Sequence, residues 1–424
     1  MLVRKHKSDR IIGVLTVVLL AIGLIVIYAI GPMRANVMNA AYGTDYGENY
    51  FFWRQLLNVS LALVAFVAAF NFPYKIVRRL GKVALGLGLG LCVLLGVLAL
   101  FGSALAQCSL GACRWFDLGF MSLQPAEILK FGLVLYLAGL ITERKQEGKL
   151  TSWDFWLPFA VVCSVSLFLV IVVQKDLGTG AGMIAIILAM LFMSGVKMRY
   201  FVATVGVILA AGVIAIVAYP HRMERILTFG SADSSDAYHI ENALIAIGTG
   251  GMFGVGVGNS VQATGYLPES INDSVFAVMG ETFGFVGLVA VVGCFTILLL
   301  RLLRTARFLP DDEESLVVVG IFAWATAHVV INIASMTGLI PLTGITLPLL
   351  SYGGTSMLLM AAALGLVLQL SCYTGREPRK EAVIQMKARQ GSARRRAGWG
   401  QLERQLAQRQ RAERAERLTE RRED

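Results

Sequence analysis

Ten apolar runs alternate with polar loops along the chain. They cover residues 11–31, 51–72, 83–106, 125–142, 155–173, 178–196, 200–219, 275–300, 315–337 and 347–372. A bilayer is spanned by roughly 20 apolar residues in helical form, and each run is about that long. Backbone groups in lipid must be satisfied within their own segment, so the pattern predicts helices. The expected fold is an all-α polytopic membrane protein with ten transmembrane helices in residues 1–375. A basic tail follows in 376–424, either a helix on an anionic membrane surface or a disordered segment.

The polar loops predict an orientation. With the N-terminus inside, the inside loops hold Lys75, Arg78, Arg79 and Lys82, then Arg144, Lys145 and Lys149, then Arg301, Arg304 and Arg307. The outside loops hold few cations, among them Arg34, Arg54, Arg114, Lys175, Arg222 and Arg225. This is the positive-inside pattern, with both termini cytoplasmic. It puts a long loop, 220–272, outside between the seventh and eighth helices. The basic N-terminal segment MLVRKHKSDR reads as the start of a retained first helix.

Composition agrees. The 424 residues are 56% hydrophobic and 16% charged, and mean hydropathy is +0.67, values that exclude an ordinary soluble domain. The net charge of +10 is no nucleic-acid footprint, because residues 373–424 alone carry +7. Cys92, Cys163, Cys294 and Cys372 lie in apolar runs and read as small hydrophobes. Cys108 and Cys113 share an outside loop, where a disulfide can persist, and the spacing leaves their pairing open.

Candidate chemistry gathers in the outside loops. Tyr266–Phe285, YLPESINDSVFAVMGETFGF, begins polar and turns apolar after Ser274. Asp273 lies at the junction and Glu281 about two helical turns deeper. Spacing alone reads Asp273 as a helix cap. Ionisable groups inside a span are costly and usually functional, which supports a second reading. In QPAEILK, Glu127 and Lys130 share a helix face, either as a self-neutralising pair or as a charged site facing an anionic ligand. In QKDLGTG, Asp176 reads as a cap. Arg222 and Arg225, in HRMERILTF, suit either phosphate or lipid headgroups. The glycine run IGTGGMFGVGVGNS lacks a P-loop's GK[ST], so it reads as tight re-entrant packing or a backbone nest for an anion. GLIPLTGITLPLLSYGGTS breaks the last span with prolines and glycines. His328 and Asn332, four apart, read as interhelical hydrogen-bonding groups. These acids and cations fit an enzyme acting on a lipid-linked phosphate. They also fit a transporter with broken helices, and residue physics alone does not choose.

Jointly, GACRWFDLGFMSLQPAEILK, QKDLGTG, HRMERILTF, AIGTGGMFGVGVGNS, YLPESINDSVFAVMGETFGFVG and GLIPLTGITLPLLSYGGTSM resemble the SEDS family (shape, elongation, division and sporulation), which includes FtsW and RodA. The resemblance implies a peptidoglycan glycosyltransferase that polymerises lipid II at the outer face of the bacterial cytoplasmic membrane. Undecaprenyl diphosphate would be the leaving group and a class B penicillin-binding protein the partner, with other division or elongation proteins nearby. A lipid II flippase and a non-catalytic division scaffold are the alternatives.

The family's essential loop aspartate falls on Asp273, its QPSE-x-x-K element on Glu127 and Lys130, and its GA-x-x-W tryptophan on Trp115. Arg114, Arg222, Arg225 and Glu281 complete the expected substrate-binding set. The resemblance implies no certain cofactor. A divalent cation (Mg or Mn) is a candidate for sharing the diphosphate charge, with its ligands unknown. The chain departs from the family pattern at Lys175, at His239 and Asn242 (paired glutamines in the family), and at Thr282. The division and elongation branches are not separated: YLPE and GITLP lean to the first, RWFDLG to the second.

Overall fold

The structure, a computed structural model, describes residues 8–109, 112–119, 122–217, 223 and 235–374. The expectations for Arg222, Arg225 and the tail 376–424 lie outside the described residues.

Eleven helices are present among the described residues: α1 Arg10–Tyr42, α2 Tyr50–Asn71, α3 Tyr74–Leu100, α4 Pro125–Gln146, α5 Trp153–Phe168, α6 Leu177–Met193, α7 Met198–Val217, α8 Ser235–Thr249, α9 Val275–Phe308, α10 Asp312–Met336 and α11 Gly354–Ser371. Nine are long and apolar enough to cross a membrane, counting α5 with its π-helical extension to Val173, and α6 is a shorter apolar helix. The fold is that of an all-α polytopic membrane protein with one small β insertion.

Local chemistry sets the helix ends. Asp9 caps α1 through the Ile11 amide, and Asp311 caps α10 through the Glu313 and Glu314 amides. Pro125 opens α4 at a position whose N–H is not needed, and Arg144 and Lys145 close it where the helix dipole favours cations. Packing is close where glycine faces a neighbour. A Cβ on Gly88 would lie 2.6 Å from the Leu129 backbone, and one on Gly132 would lie 2.4 Å from the Leu85 backbone, which locks α3 against α4.

One end of the bundle is tied by polar contacts. The Asp9 amide donates to Ser371, the Asp9 carboxylate lies 3.7 Å from Arg301, Arg78 pairs with Glu313 at 2.9 Å and Lys145 with Asp312 at 3.2 Å. The opposite end carries the hairpin, the turn before α6, the segment 250–274 and the loop 338–353.

Three features differ from the pattern reading. A three-stranded antiparallel sheet, β1 Ala106–Ser109, β2 Ala112–Asp117 and β3 Ser122–Leu123, occupies the connection between α3 and α4, and a Cys108–Cys113 disulfide crosses β1 and β2. The expected loop 220–272 contains α8. The last apolar run becomes helical only at Gly354, because Leu347–Tyr352 is spent on turns.

The eighth span is broken. Gly284 has φ 68° and ψ −169°, which is not helical. In an unbroken helix the amides of Phe285 and Val286 would bond to the carbonyls of Glu281 and Thr282. Here those carbonyls accept from Val255 and Gly256 at 2.9 and 3.1 Å, and those amides donate to Gly251 and Met252 at 2.8 and 3.1 Å. The glycine run is therefore a backbone splint that satisfies all four groups freed by the break. A Cβ on Gly254 would sit 2.2 Å from the Thr282 carbonyl oxygen, and one on Gly284 would sit 2.4 Å from the Gly254 amide.

The two halves of α9 differ accordingly. Residues 275–282 are all buried. Beyond the break burial narrows to a stripe, Leu288, Val291, Phe295, Leu298, Leu302, Thr305 and Ala306, and Phe285, Val289, Ile297 and Leu300 face outward.

Candidate functional site

Asp273 lies in the turn that feeds the buried half of α9. The helix cap is Ser274, one residue later, and it makes no side-chain cap bond, so Asp273 is free of the capping role the spacing suggested. The turn is held from every side. The Ser274 amide donates to the Glu269 carbonyl, and the Tyr352 amide donates to the Ile271 carbonyl. Asn332 of α10 bridges two loops, its Nδ2 donating to the carbonyls of Asp273 and Ile345 at 2.7 Å each. Ser274 Oγ donates to the Pro268 carbonyl at 2.8 Å and lies 2.6 Å from His239 Nε2. The one serine proton is spent on Pro268, so His239 holds the proton of the second bond. Burial keeps the His239 imidazole below its usual range, which fits this neutral donor.

The Asp273 backbone is thus fixed, and the backbone amides of Asp273 and Ser274 also favour its carboxylate. Oδ1 is buried and lacks a hydrogen-bond partner. Burial, reinforced by the nearby Glu269 carboxylate, pushes its pKa up to about 7. Glu269 is itself engaged by Arg34 at 3.4 Å and by Asn272 at 2.5 Å.

Arg114, on β2, approaches from the other side. A Cβ placed on Gly344 would be 3.9 Å from both Arg114 Nη1 and Asp273 Oδ2, so base and cation meet across that glycine. Arg114 Nη2 donates to the Lys175 carbonyl at 2.9 Å, and Nε lies 4.0 Å from Asp176 Oδ2. Trp115, the next residue, is half-buried on the same strand, paired in register with Gln107.

Of the two readings of Lys130 and Glu127, the structure has the self-neutralising pair. Lys130 is 0% exposed, its Nζ 2.8 Å from Glu127 Oε1, 2.8 Å from His328 Nε2 and 4.9 Å from the Trp324 ring centroid. A buried charge needs such partners, and with them satisfied Lys130 is a core residue, closed to a ligand. His328 and Asn332, one turn apart on α10, link this buried pair to the backbone of Asp273.

Glu281 is likewise buried. Its carboxylate accepts from Ser260 Oγ at 2.5 Å, from the Val261 amide at 2.9 Å and from the Gln262 amide at 3.3 Å. Of the two readings of the glycine run, the structure has the tight re-entrant packing; the amides that meet an anion are those of Val261 and Gln262, just beyond the run, and the anion is the protein's own carboxylate.

Asp273 and Arg114 therefore border the same space, whereas Glu127, Lys130 and Glu281 are buried with partners of their own. The sequence reading gave no role in the site to Ser260 or Gly344. A polar Asn332 inside an apolar run was the available signal for the bridge beneath Asp273. Among the described residues no three His, Cys, Asp or Glu side chains converge to hold a metal. Glu269, the acid nearest Asp273, is committed to Arg34 and Asn272, so these residues do not fit a protein-held cation and no step is routed through one.

A family profile for FtsW, RodA and SpoVE, described as "Cell cycle protein", matches residues 10–376. The chain is 35% identical over 379 residues to stage V sporulation protein E of Bacillus subtilis (strain 168), covering 88% of this chain and 100% of that protein. It is 31% identical over 372 residues to the "Probable peptidoglycan glycosyltransferase FtsW" of Coxiella burnetii, covering 86% and 96%. Among solved structures it resembles the Thermus thermophilus rod shape determining protein RodA, with TM-score 0.61, 26% identity and coverage of 87% and 98%. It also resembles a chain from "Structural coordination of polymerization and crosslinking by a peptidoglycan synthase complex", with TM-score 0.67, 24% identity and coverage of 87% and 99%. With a profile match across the whole helical bundle and relatives matched over nearly their full length, the chain belongs to the FtsW/RodA/SpoVE family of cell cycle proteins.

Proposed function

We propose that the chain is a peptidoglycan glycosyltransferase that polymerises lipid II at the outer face of the cytoplasmic membrane. The observation that carries this is the Asp273 carboxylate, unpartnered at Oδ1, raised toward neutral pH and facing Arg114 across Gly344. A general base works best with a pKa near the working pH. The glycosyltransferase names of the relatives support the same reading.

In the reaction, Asp273 takes the proton from the 4-hydroxyl of the acceptor sugar. That oxygen forms a bond to the donor's anomeric carbon, and the bond from this carbon to the diphosphate oxygen breaks with inversion. Undecaprenyl diphosphate leaves with the electron pair. Arg114 faces the developing negative charge, and a planar guanidinium suits a diphosphate. Arg222 and Arg225 are further cations for that group, and Trp115 offers a flat surface to a sugar. Lys130, Glu127 and Glu281 act on substrate only through the elements they hold. The partner is a class B penicillin-binding protein, which would cross-link the strands produced.

The test is polymerisation of labelled lipid II by the purified full-length protein with its partner in proteoliposomes. Asp273→Ala should leave no glycan strands while its unfolding midpoint stays near that of the parent. Polymer at the parent rate would sink the assignment. Transbilayer movement of lipid II without polymer would favour the transporter reading.

A further inference from the structure

The turn Lys175–Asp176 does more than start α6. Asp176 caps that helix with Oδ1, which accepts from the Thr179 amide at 2.9 Å. A cap needs no more than that. Oδ2 nevertheless takes the Thr179 hydroxyl at 2.8 Å and Gln124 Nε2 at 3.2 Å, and lies 4.0 Å from Arg114 Nε. That Nε is itself buried and has no hydrogen-bond partner, so Asp176 is the carboxylate that balances it. The preceding residue adds a second hold. Lys175 has φ 54°, a left-handed conformation costly for a side-chain-bearing residue, and its carbonyl accepts from Arg114 Nη2.

Two consecutive residues thus hold one edge of the guanidinium, the Lys175 carbonyl by a hydrogen bond and the Asp176 carboxylate by its charge at 4.0 Å. The remaining nitrogen, Nη1, makes no hydrogen bond among the described residues and is the one that faces Asp273 across Gly344. The hold extends to β3, the strand paired with the one that bears Arg114. Gln124, which Asp176 holds, donates its amide to Thr355 Oγ1, and Thr355 donates to the carbonyl of Ser122 on β3.

We infer that Asp176 is a positioning residue, holding Arg114 with the Lys175 carbonyl so that Nη1 is presented to the anionic diphosphate of a lipid-linked sugar. This rests on the reading of Asp273 and Arg114 given above. Freed from the turn, Arg114 could swing to solvent and the substrate would lose a preoriented, charge-assisted contact.

The experiment uses the full-length protein and its partner in proteoliposomes, with lipid II titrated and unfolding midpoints recorded. Asp176→Asn should raise the KM for lipid II about tenfold while kcat falls less than about threefold. Arg114→Lys, which lacks the fork, should do the same, and the double variant should be no worse than Arg114→Lys alone. Thr179→Val keeps the amide cap but loses the hydroxyl, and should leave KM unchanged.

The inference is overturned if Asp176→Asn keeps the parent KM, if Thr179→Val raises KM as much as Asp176→Asn, or if the two single effects add. If Asp176→Asn is not recovered folded, Arg114→Lys decides, because a parent KM in that variant shows that no grip is needed. Asp273→Asn separates the two levels. If it still polymerises, the reading of the whole site fails; if it is inactive and only Asp176→Asn behaves as the parent, the inference alone fails.

Discussion

Glu281 offers the sharpest test of how this site is supported. Its carboxylate is fully buried and is the acceptor for the Ser260 hydroxyl and the amides of Val261 and Gln262. Glu281→Ala removes the acceptor from three donors at once. A buried donor left unsatisfied costs about 1–3 kcal/mol, and part of this segment can reach water, so the loss should be about 3–5 kcal/mol. Glu281→Gln keeps an oxygen for the two amides, turns an NH2 donor toward the Ser260 hydroxyl and gives up the charge assistance, which predicts a loss of about 1–2 kcal/mol. Thermal unfolding of the detergent-solubilised protein reads the total. Hydrogen exchange on peptides covering 255–266 reads the segment itself, which should lose protection first in the alanine variant. If Glu281→Ala unfolds at the parent midpoint with Val261 and Gln262 still protected, the reasoning is wrong. If Glu281→Gln is as stable as the parent yet inactive, Glu281 meets substrate after all.

Three further outcomes are expected. Asp273 works as a base only when deprotonated, and its pKa is raised to about 7, so the polymerisation rate should climb as pH rises through about 7; a rate flat from pH 5 to 9 would contradict this. Gly284→Ala forces a Cβ against the Gly254 amide in a backbone shape that suits only glycine, so folded yield and polymer should both fall, as gel filtration and the lipid II assay will show. Lys130→Met strands the buried Glu127 carboxylate and should cost about 3–5 kcal/mol by thermal unfolding; the double variant Lys130→Met/Glu127→Leu should recover most of it, whereas a single variant as stable as the parent would mean the pair is not buried together.

The spans were legible because each apolar run is set by one rule, the thickness of lipid. Asp273 was legible as a polar residue at the mouth of a span, and Arg114 and Trp115 through their motif. What failed to show was any feature that depends on a partner distant in sequence. Gly284 sits in VMGETFGFVG, and nothing local says which glycine breaks the helix; the break depends on residues 251–256 supplying the missing bonds. Lys130 stayed open between a self-neutralising pair and a ligand-facing cation because its other partners, His328 and Trp324, lie nearly 200 residues away. Glu281 was misplaced for the same reason, since its donors come from a segment whose glycines suggested an external anion. The sheet was hidden because three short strands have too little apolar alternation to stand out.

The break at Gly284 also separates two mechanical environments. Residues 275–282 are enclosed by protein and answer only to their neighbours. The segment beyond Gly284 faces lipid over most of its circumference and must follow the bilayer. A membrane that thickens or thins changes the tilt of spanning helices, at a cost of fractions of a kcal/mol per Å. In a rigid 34-residue rod that tilt would sweep its outer end through several ångströms. The splint bonds the Phe285 and Val286 amides to Gly251 and Met252, so the first turn beyond Gly284 is pinned and any tilt of the lower segment is taken up beyond it, away from Asp273. The same chain could then work in bilayers of different lipid composition without retuning its reaction centre.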